Sequence, residues 1–190
     1  MFTLSARAAL SVEEQVLSTA WSFAQHMPRA TEAGGMLIGH QPQDTTDLVL
    51  DRLTIPQPTD QRSRFRFRRS QEAHQELLDL YWMASARTRT YLGEWHTHPE
   101  DVPVPSAIDR KSWKKALAET VAFHRMGLLF MIVGRTITRI WYGASADSFP
   151  ILIAEFPTGE LNEQTPETRD PIHDAAYNSH AEASGLHETD

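Results

Sequence analysis

Apolar positions along the chain fall into segments of two periods. Val12, Val16, Ala20, Phe23 and Met27 recur at helical spacing, the mark of an amphipathic helix. Ser11 followed by Glu14 reads as a capping box at its start, and Pro28 as its end. GGMLIGH, from Gly34 to His40, is a short apolar strand. TTDLVLDRLTI sets Leu48, Leu50 and Leu53 against Asp47, Val49 and Asp51, so a strand pairing back on GGMLIGH is expected. IPQPTDQ is a proline-broken turn. RSRFRFRR alternates strictly, with Arg62, Arg64, Arg66 and Arg68 on one face and Ser63, Phe65 and Phe67 on the other. It predicts one edge strand with a charged outer face, which blunts aggregation; a docking strip for an acidic partner is compatible with that. Ser70 is placed to cap a helix that turns Ala73, Leu77, Leu80, Tyr81 and Ala84 inward. YLGEWHTH is extended and ends at Pro99. A helix from Ser106 to about His124 would face Ile108, Trp113, Leu117 and Val121 to a sheet, and Lys111, Lys114 and Lys115 outward. LLFMIVG, nearly continuous in apolar residues, is expected to be the most buried strand, followed by TITRIWYG and PILIAEF.

These elements make one domain over 1–156, of α/β class. From Pro157 the chain turns polar and acidic, with Arg169 its one basic residue. The stretch 157–190 is expected to be a mostly disordered tail with one short helix near Asp174 to Ala183. His173, His180 and His187 recur every seven residues. They read as solvated tail histidines, with a second metal site as the other reading. The chain has no cysteine, which excludes disulfides, thiolate metal ligands and a cysteine-protease mechanism. Its net charge of −7 speaks against general nucleic-acid binding. No apolar run has the length of a membrane span. The N-terminus has too short an apolar stretch for a signal peptide. A cytoplasmic protein is expected.

The chemistry concentrates in GEWHTHPEDVPVPSAID, from Gly93 to Asp109. His96 and His98 are two apart, so on a strand they share a face, with Glu94 behind them and Trp95 and Thr97 turned to the opposite layer. Seven residues later Ser106 is placed as a helix N-cap, and Asp109 falls in the first turn. His96, His98 and Asp109 are three zinc ligands at workable spacing. Three protein ligands leave a fourth position for water, the arrangement of a catalytic rather than a structural zinc. Asp101 is the weaker carboxylate candidate. Glu94 is either a carboxylate that orients a ligand histidine or an ordinary strand-end residue. His40, His74 and His124 read as helix or strand-end residues, and Trp95 and Trp113 as core.

Glu32 in TEAGGMLIG, the HTHP run and the S-x-x-D spacing together resemble the JAB/JAMM (MPN-domain) metallopeptidases. The longer run YLGEWHTHPEDVPVPSAIDRKSW is most similar to the prokaryotic JAB peptidases of bacterial antiviral defence, notably cyclic-oligonucleotide (CBASS) operons. The resemblance covers roughly residues 11 to 156 and implies a JAB/MPN, cytidine-deaminase-like fold with a mixed sheet flanked by helices. It further implies one Zn2+ per chain, Glu32 as general base and Ser106 as oxyanion donor. The implied activity is cleavage after the C-terminus of a ubiquitin-like modifier or a CD-NTase-type synthase joined to a target, with E1/E2-like conjugating proteins of the same operon as partners. The modifier's extended C-terminus would bind as an added strand, in a groove for which Gly34, Gly35, Arg64, Arg66 and Arg68 are candidates. A non-catalytic MPN-type scaffold and a peptidase for a small amide or sulfur-carrier precursor are the contrasting readings.

Overall fold

The computed structural model describes residues 1–5, 8–120 and 127–159. In chain order the strands and helices are β1 (Phe2–Ser5), β2 (Ala8–Val12), α1 (Glu14–Trp21), β3 (Gly34–His40), β4 (Leu48–Leu53), β5 (Gln61–Ser63), β6 (Arg66–Arg68), α2 (Gln71–Ala84), β7 (Thr90–Thr97), α3 (Ala107–Thr120), β8 (Leu128–Val133), β9 (Ile137–Gly143) and β10 (Ile151–Pro157). Eight strands form one mixed sheet in the order β1-β2-β4-β3-β7-β8-β9-β10, and β5 and β6 form a separate hairpin. The β2–β4 and β7–β8 pairs are parallel and the others antiparallel. β7 reaches β8 through α3, the helical crossover that a parallel pair requires.

Period-2 alternation divides β8 between two cores. Leu129, Met131 and Val133 pack with Trp95, Leu37 and Leu50 against Val16, Leu17 and Ala20 of α1. Leu128, Phe130 and Ile132 pack with Trp113 and Leu117 of α3, while Met36 and Ile38 meet Tyr81 of α2. One helix therefore covers one face and two cover the other. The sheet curls around α1. Phe2 and Phe156 from its two edges meet edge to face at 5.1 Å, and the Trp21 indole N–H donates to the Thr138 hydroxyl at 2.9 Å.

The structure differs from the expectations at several points. Ser11 is no cap. Its backbone pairs with Val49 in the β2–β4 ladder, Val12 pairs with Leu50, and α1 starts two residues later with no side-chain cap. Met27 lies outside α1 and is exposed. RSRFRFRR is not one strand. It folds back at Arg64–Phe65, so Arg62 lies opposite Phe67 and Ser63 opposite Arg66. The turn contains none of the glycine or asparagine that mark two-residue hairpins; it is closed from outside, by the Gln25 amide on the Arg64 carbonyl and the Arg64 guanidinium on the Pro28 carbonyl. Ser70 stands at the N-cap of α2, but its hydroxyl makes no capping bond. The Asp60 carboxylate accepts the Ser70 N–H at 2.7 Å. Leu80 is 41% exposed, and Ile108, at 65%, faces away from the sheet. Val121, His124 and the tail from 160, with its three histidines, lie outside the described residues.

Candidate metal centre

β7 ends at Thr97, and the chain leaves the sheet with His98, whose N–H donates to the Val133 carbonyl at 2.9 Å. His96 and His98 thus project together from the end of the strand. The Pro99-to-Pro105 loop then delivers the start of α3. There the Ser106 hydroxyl accepts the Asp109 N–H at 3.2 Å, and the Asp109 carboxylate accepts the Ser106 N–H at 2.7 Å. This reciprocal cap fixes the carboxylate over the histidines.

The donor atoms converge. The two histidine Nε2 atoms lie 3.0 Å apart; Asp109 Oδ1 is 3.3 Å from that of His96, and Oδ2 is 3.3 Å from that of His98. Metal–ligand distances of about 2.0 Å put the edges of a coordination tetrahedron at about 3.3 Å. Each histidine nitrogen thus lies at about such an edge from the other and from one carboxylate oxygen, and one donor atom from each of the three residues lies within 4.8 Å of the other two; two imidazoles with one carboxylate suit a divalent transition metal. Among the described residues this is the one group of its kind. Both histidines offer Nε2, and on the far side of His98 its Nδ1 has the Glu100 carboxylate at 3.8 Å.

Electrostatics at the centre follow from burial and close pairing. Burial alone would raise the Asp109 carboxyl, but bonds from His96 and His98 outweigh it and hold the group well below the usual carboxylate range. Burial opposes charge on His98, yet Asp109 and Glu32 together push its titration up. Glu32 is buried, and that burial raises its carboxyl despite the lowering influence of the two histidines.

Glu32 sits just before β3, where Gly34 pairs with His96. The hairpin grips it at three points. Its N–H donates to the Ser63 carbonyl and its carbonyl accepts from the Arg62 guanidinium, both at 2.7 Å; its carboxylate accepts the Phe67 N–H. Gly34 and Gly35 serve this packing rather than an open groove. A Cβ on Gly34 would meet the Trp95 carbonyl at 2.5 Å and the Phe67 ring at 2.6 Å, and one on Gly35 would meet the Thr54 carbonyl at 2.0 Å. Arg66 and Arg68 share an exposed face of β6, whereas Arg64 is spent on the turn, bonded to the Met27 and Pro28 carbonyls. Glu94 shares the histidine face, where it pairs with Arg69 at 3.0 Å and accepts the Tyr91 hydroxyl. Asp101 is turned to Arg135 at 2.8 Å, and His40 lies 3.6 Å from Asp51. His74 is wholly buried between Thr54 and Asp60. A cleft of about 700 Å³ lies on the same face of the sheet, lined by Met36, Arg68, Arg69, Tyr91, Glu94 and Thr120 among others; none of His96, His98, Asp109, Glu32 and Ser106 lines it.

No sign in the sequence marks Gln25 or Glu100, and it places Thr97 behind the histidines and Arg62 on a charged strand face without showing their bonds to Gln25 and Glu32. A β-branched polar residue between two ligand histidines, on a face otherwise apolar, was the one available signal for Thr97; Gln25 has none.

Comparison with known proteins bears on this centre. Residues 14–143 match the family model described as prokaryotic homologs of the JAB domain. A protein of Pseudomonas aeruginosa named CD-NTase/cGAS isopeptidase is 38% identical over 62% of this chain and 74% of its own length. One of the same name from Vibrio cholerae is 38% identical over 63% of this chain and 72% of its own. A probable metalloprotease of Sinorhizobium fredii is 27% identical over 54% of this chain and 63% of its own.

Proposed function

The chain belongs to the prokaryotic JAB-domain family, a footing that supports a hydrolase, and we propose that it is a zinc isopeptidase that cuts after the C-terminal residue of a conjugated CD-NTase/cGAS-type synthase or ubiquitin-like modifier. The carrying observation is the convergence of His96, His98 and Asp109, one donor atom from each within 4.8 Å of the others, beside the buried Glu32 carboxyl. Relatives named for isopeptidase activity on CD-NTase/cGAS supply the substrate class. The conjugate would be made by E1/E2-like proteins, in the cytoplasm. Among the described residues no helix is long and apolar enough to cross a membrane.

His96, His98 and Asp109 would hold the zinc, which when bound would supply Lewis acidity and a water acidified toward neutral pH. Glu32 accepts the proton of the attacking water and returns it to the leaving amine. The hairpin bonds on both sides of Glu32 keep it aimed at the histidine face. The Ser106 hydroxyl already accepts from the Asp109 N–H, so its own proton remains to be donated to the oxyanion that forms on the scissile carbonyl. The substrate's last residues would lie extended beside β6, whose Arg66 and Arg68 are exposed at its open edge. The presence of every ligand argues against a non-catalytic scaffold, which would have no use for a raised carboxyl beside the three donors.

The leaving amine needs only a proton, whereas the carbonyl side must be aligned, so the rate should follow what precedes the bond. A matched substrate set tests this. One series fuses the synthase to varied downstream peptides, and the other attaches varied modifiers to one downstream protein. Rates that follow the modifier are expected. Rates that ignore it would replace this reading by a small-amide peptidase.

A further inference from the structure

Gln25 lies past the end of α1, outside regular structure, yet is only 1% exposed. Its amide is engaged on both sides. Nε2 donates to the Ala30 carbonyl at 3.0 Å and to the Arg64 carbonyl at 2.9 Å, and Oε1 accepts the Thr97 hydroxyl at 3.1 Å. The Thr97 oxygen accepts the Ala33 N–H at 3.0 Å, and the Thr97 N–H donates to the Ala33 carbonyl at 2.8 Å. One side-chain amide thus joins the stretch leading to Glu32, the hairpin turn and the strand that carries both histidines. Thr97 points away from the metal face, so this strut supports the centre from behind. It holds Glu32 from both directions: Ala33 follows Glu32 directly, and Ser63, which accepts the Glu32 N–H, precedes the turn residue Arg64.

We propose that Gln25 is a positioning residue for Glu32, setting through Thr97, Ala33 and Arg64 where the carboxyl stands relative to His96 and His98. The inference rests on the hydrolase reading, with Glu32 as its base. The partners of the Gln25 amide are Ala30, Arg64 and Thr97, none of them a proposed metal ligand or base. A buried side-chain amide with both donors and its acceptor used specifies geometry more sharply than apolar contacts do, because each lost bond leaves a buried polar group unpaired. The stretch before β3 is held by single backbone bonds, from Glu32 to Ser63 and from Thr97 to Ala33, and the side-chain bonds of Gln25, Thr97 and Arg62 complete its definition.

The test uses the full, zinc-loaded chain and compares Gln25→Leu, Thr97→Val and Thr97→Ser. Misplacement of a reacting group by about an ångström can cost on the order of a hundredfold. Gln25→Leu and Thr97→Val are therefore expected to lower kcat by about tenfold to a hundredfold, with KM and bound zinc within about twofold of the parent. Thr97→Ser keeps the hydroxyl and should retain kcat to within about threefold. If Gln25→Leu does not fold, the Thr97→Val and Thr97→Ser pair decides alone. Amide hydrogen exchange supplies a readout free of turnover: Glu32 and Ala33 should exchange faster by about tenfold or more in Gln25→Leu. A kcat within about twofold of the parent in Gln25→Leu, a KM rise at constant kcat, or loss of zinc would each overturn the proposal. If the parent itself cleaves no conjugate, the hydrolase reading fails instead, and unchanged exchange at Glu32 and Ala33 would then overturn the strut.

Discussion

Glu32→Gln separates chemistry from architecture, because the structure predicts opposite signs for its two effects. Glutamine matches glutamate in size and keeps an oxygen to accept the Phe67 N–H. The backbone bonds of Glu32 to Ser63 and Arg62 do not involve the side chain. None of the three metal ligands is touched, so bound zinc should equal that of the parent. Turnover should fall by roughly a hundredfold to ten-thousandfold, the usual contribution of a general base, or about 3–6 kcal/mol at 1.4 kcal/mol per tenfold. Stability should move the other way. Burial raises the Glu32 carboxyl, so the metal-free fold favours its protonated form. The stability that this group contributes is full below its unfolded value and is lost as pH rises through the folded one. Above the ordinary carboxyl range the metal-free parent carries the cost of that shift, which Glu32→Gln lacks, and the variant should melt at or above the parent. The gap should close as pH falls below the ordinary carboxyl range. The assay pairs conjugate cleavage with metal-free thermal melts across pH. Turnover within about threefold of the parent would show that another residue is the base. A variant that melts well below the parent at neutral pH would refute the electrostatic argument.

His98→Ala should abolish stoichiometric zinc binding by metal analysis, since its Nε2 is one of the three converging donors; undiminished zinc would remove it from the ligand set. Asp60→Asn should cost about 2–5 kcal/mol in urea unfolding. The buried carboxylate accepts from Gln57 N–H, Ser70 N–H and the His74 ring, and each donor left unpaired costs about 1–3 kcal/mol. Burial would raise this carboxyl, but the bonds from His74 and the backbone outweigh it and lower it. Its stabilisation is therefore full above the ordinary carboxyl value and lost as pH falls through the folded one. Asp60→Asn should flatten the acid limb of the stability profile, and an unchanged limb would remove Asp60 from the account.

What was legible in the sequence is what depends on local period. LLFMIVG reads as a buried strand because apolar side chains on both faces of a parallel pair need cover on both sides. His96 and His98 read as one face because a strand repeats every two residues. Asp109 follows because Ser106 starts a helix. The rest depends on partners far apart in the chain. Gln25 meets Thr97 across 72 residues and Glu94 meets Arg69 across 25, and neither pair has a signature in its own neighbourhood. The hairpin of β5 and β6 was hidden by its strict alternation, because pairing across a two-residue turn leaves the alternating string unchanged in composition. β1 and β2 are short, and β2 carries small residues. Their strand character comes from β4 and from Phe156 at the other edge rather than from propensity.

The phase of β7 shows how core and chemistry are kept on their own sides. Leu92 and Trp95 both belong to the core beneath α1, although an odd spacing puts such residues on opposite faces of a regular strand. The pairing with β3 jumps from Leu37–Gly93 to Ile38–Tyr91, leaving Leu92 as the extra residue of a bulge. Gly93 permits it, with φ of +152° and so close an approach to β8 that a Cβ would meet the Leu129 carbonyl at 1.8 Å. Downstream of the bulge strict alternation resumes. Trp95 and Thr97 then anchor to the core and to Gln25, while Glu94 faces the cleft and His96 faces α3. Upstream, the same shift turns Tyr91 to the cleft and Leu92 to the core. Without the bulge, one end of β7 would present the wrong face, since a one-residue slip exchanges every side chain between layers. The buried indole of Trp95, whose N–H donates to the Thr54 carbonyl at 2.9 Å, then locks the phase. Moving His96 off the metal face would mean extracting that indole from the core. The geometry of the metal centre is thus held by residues that never face it.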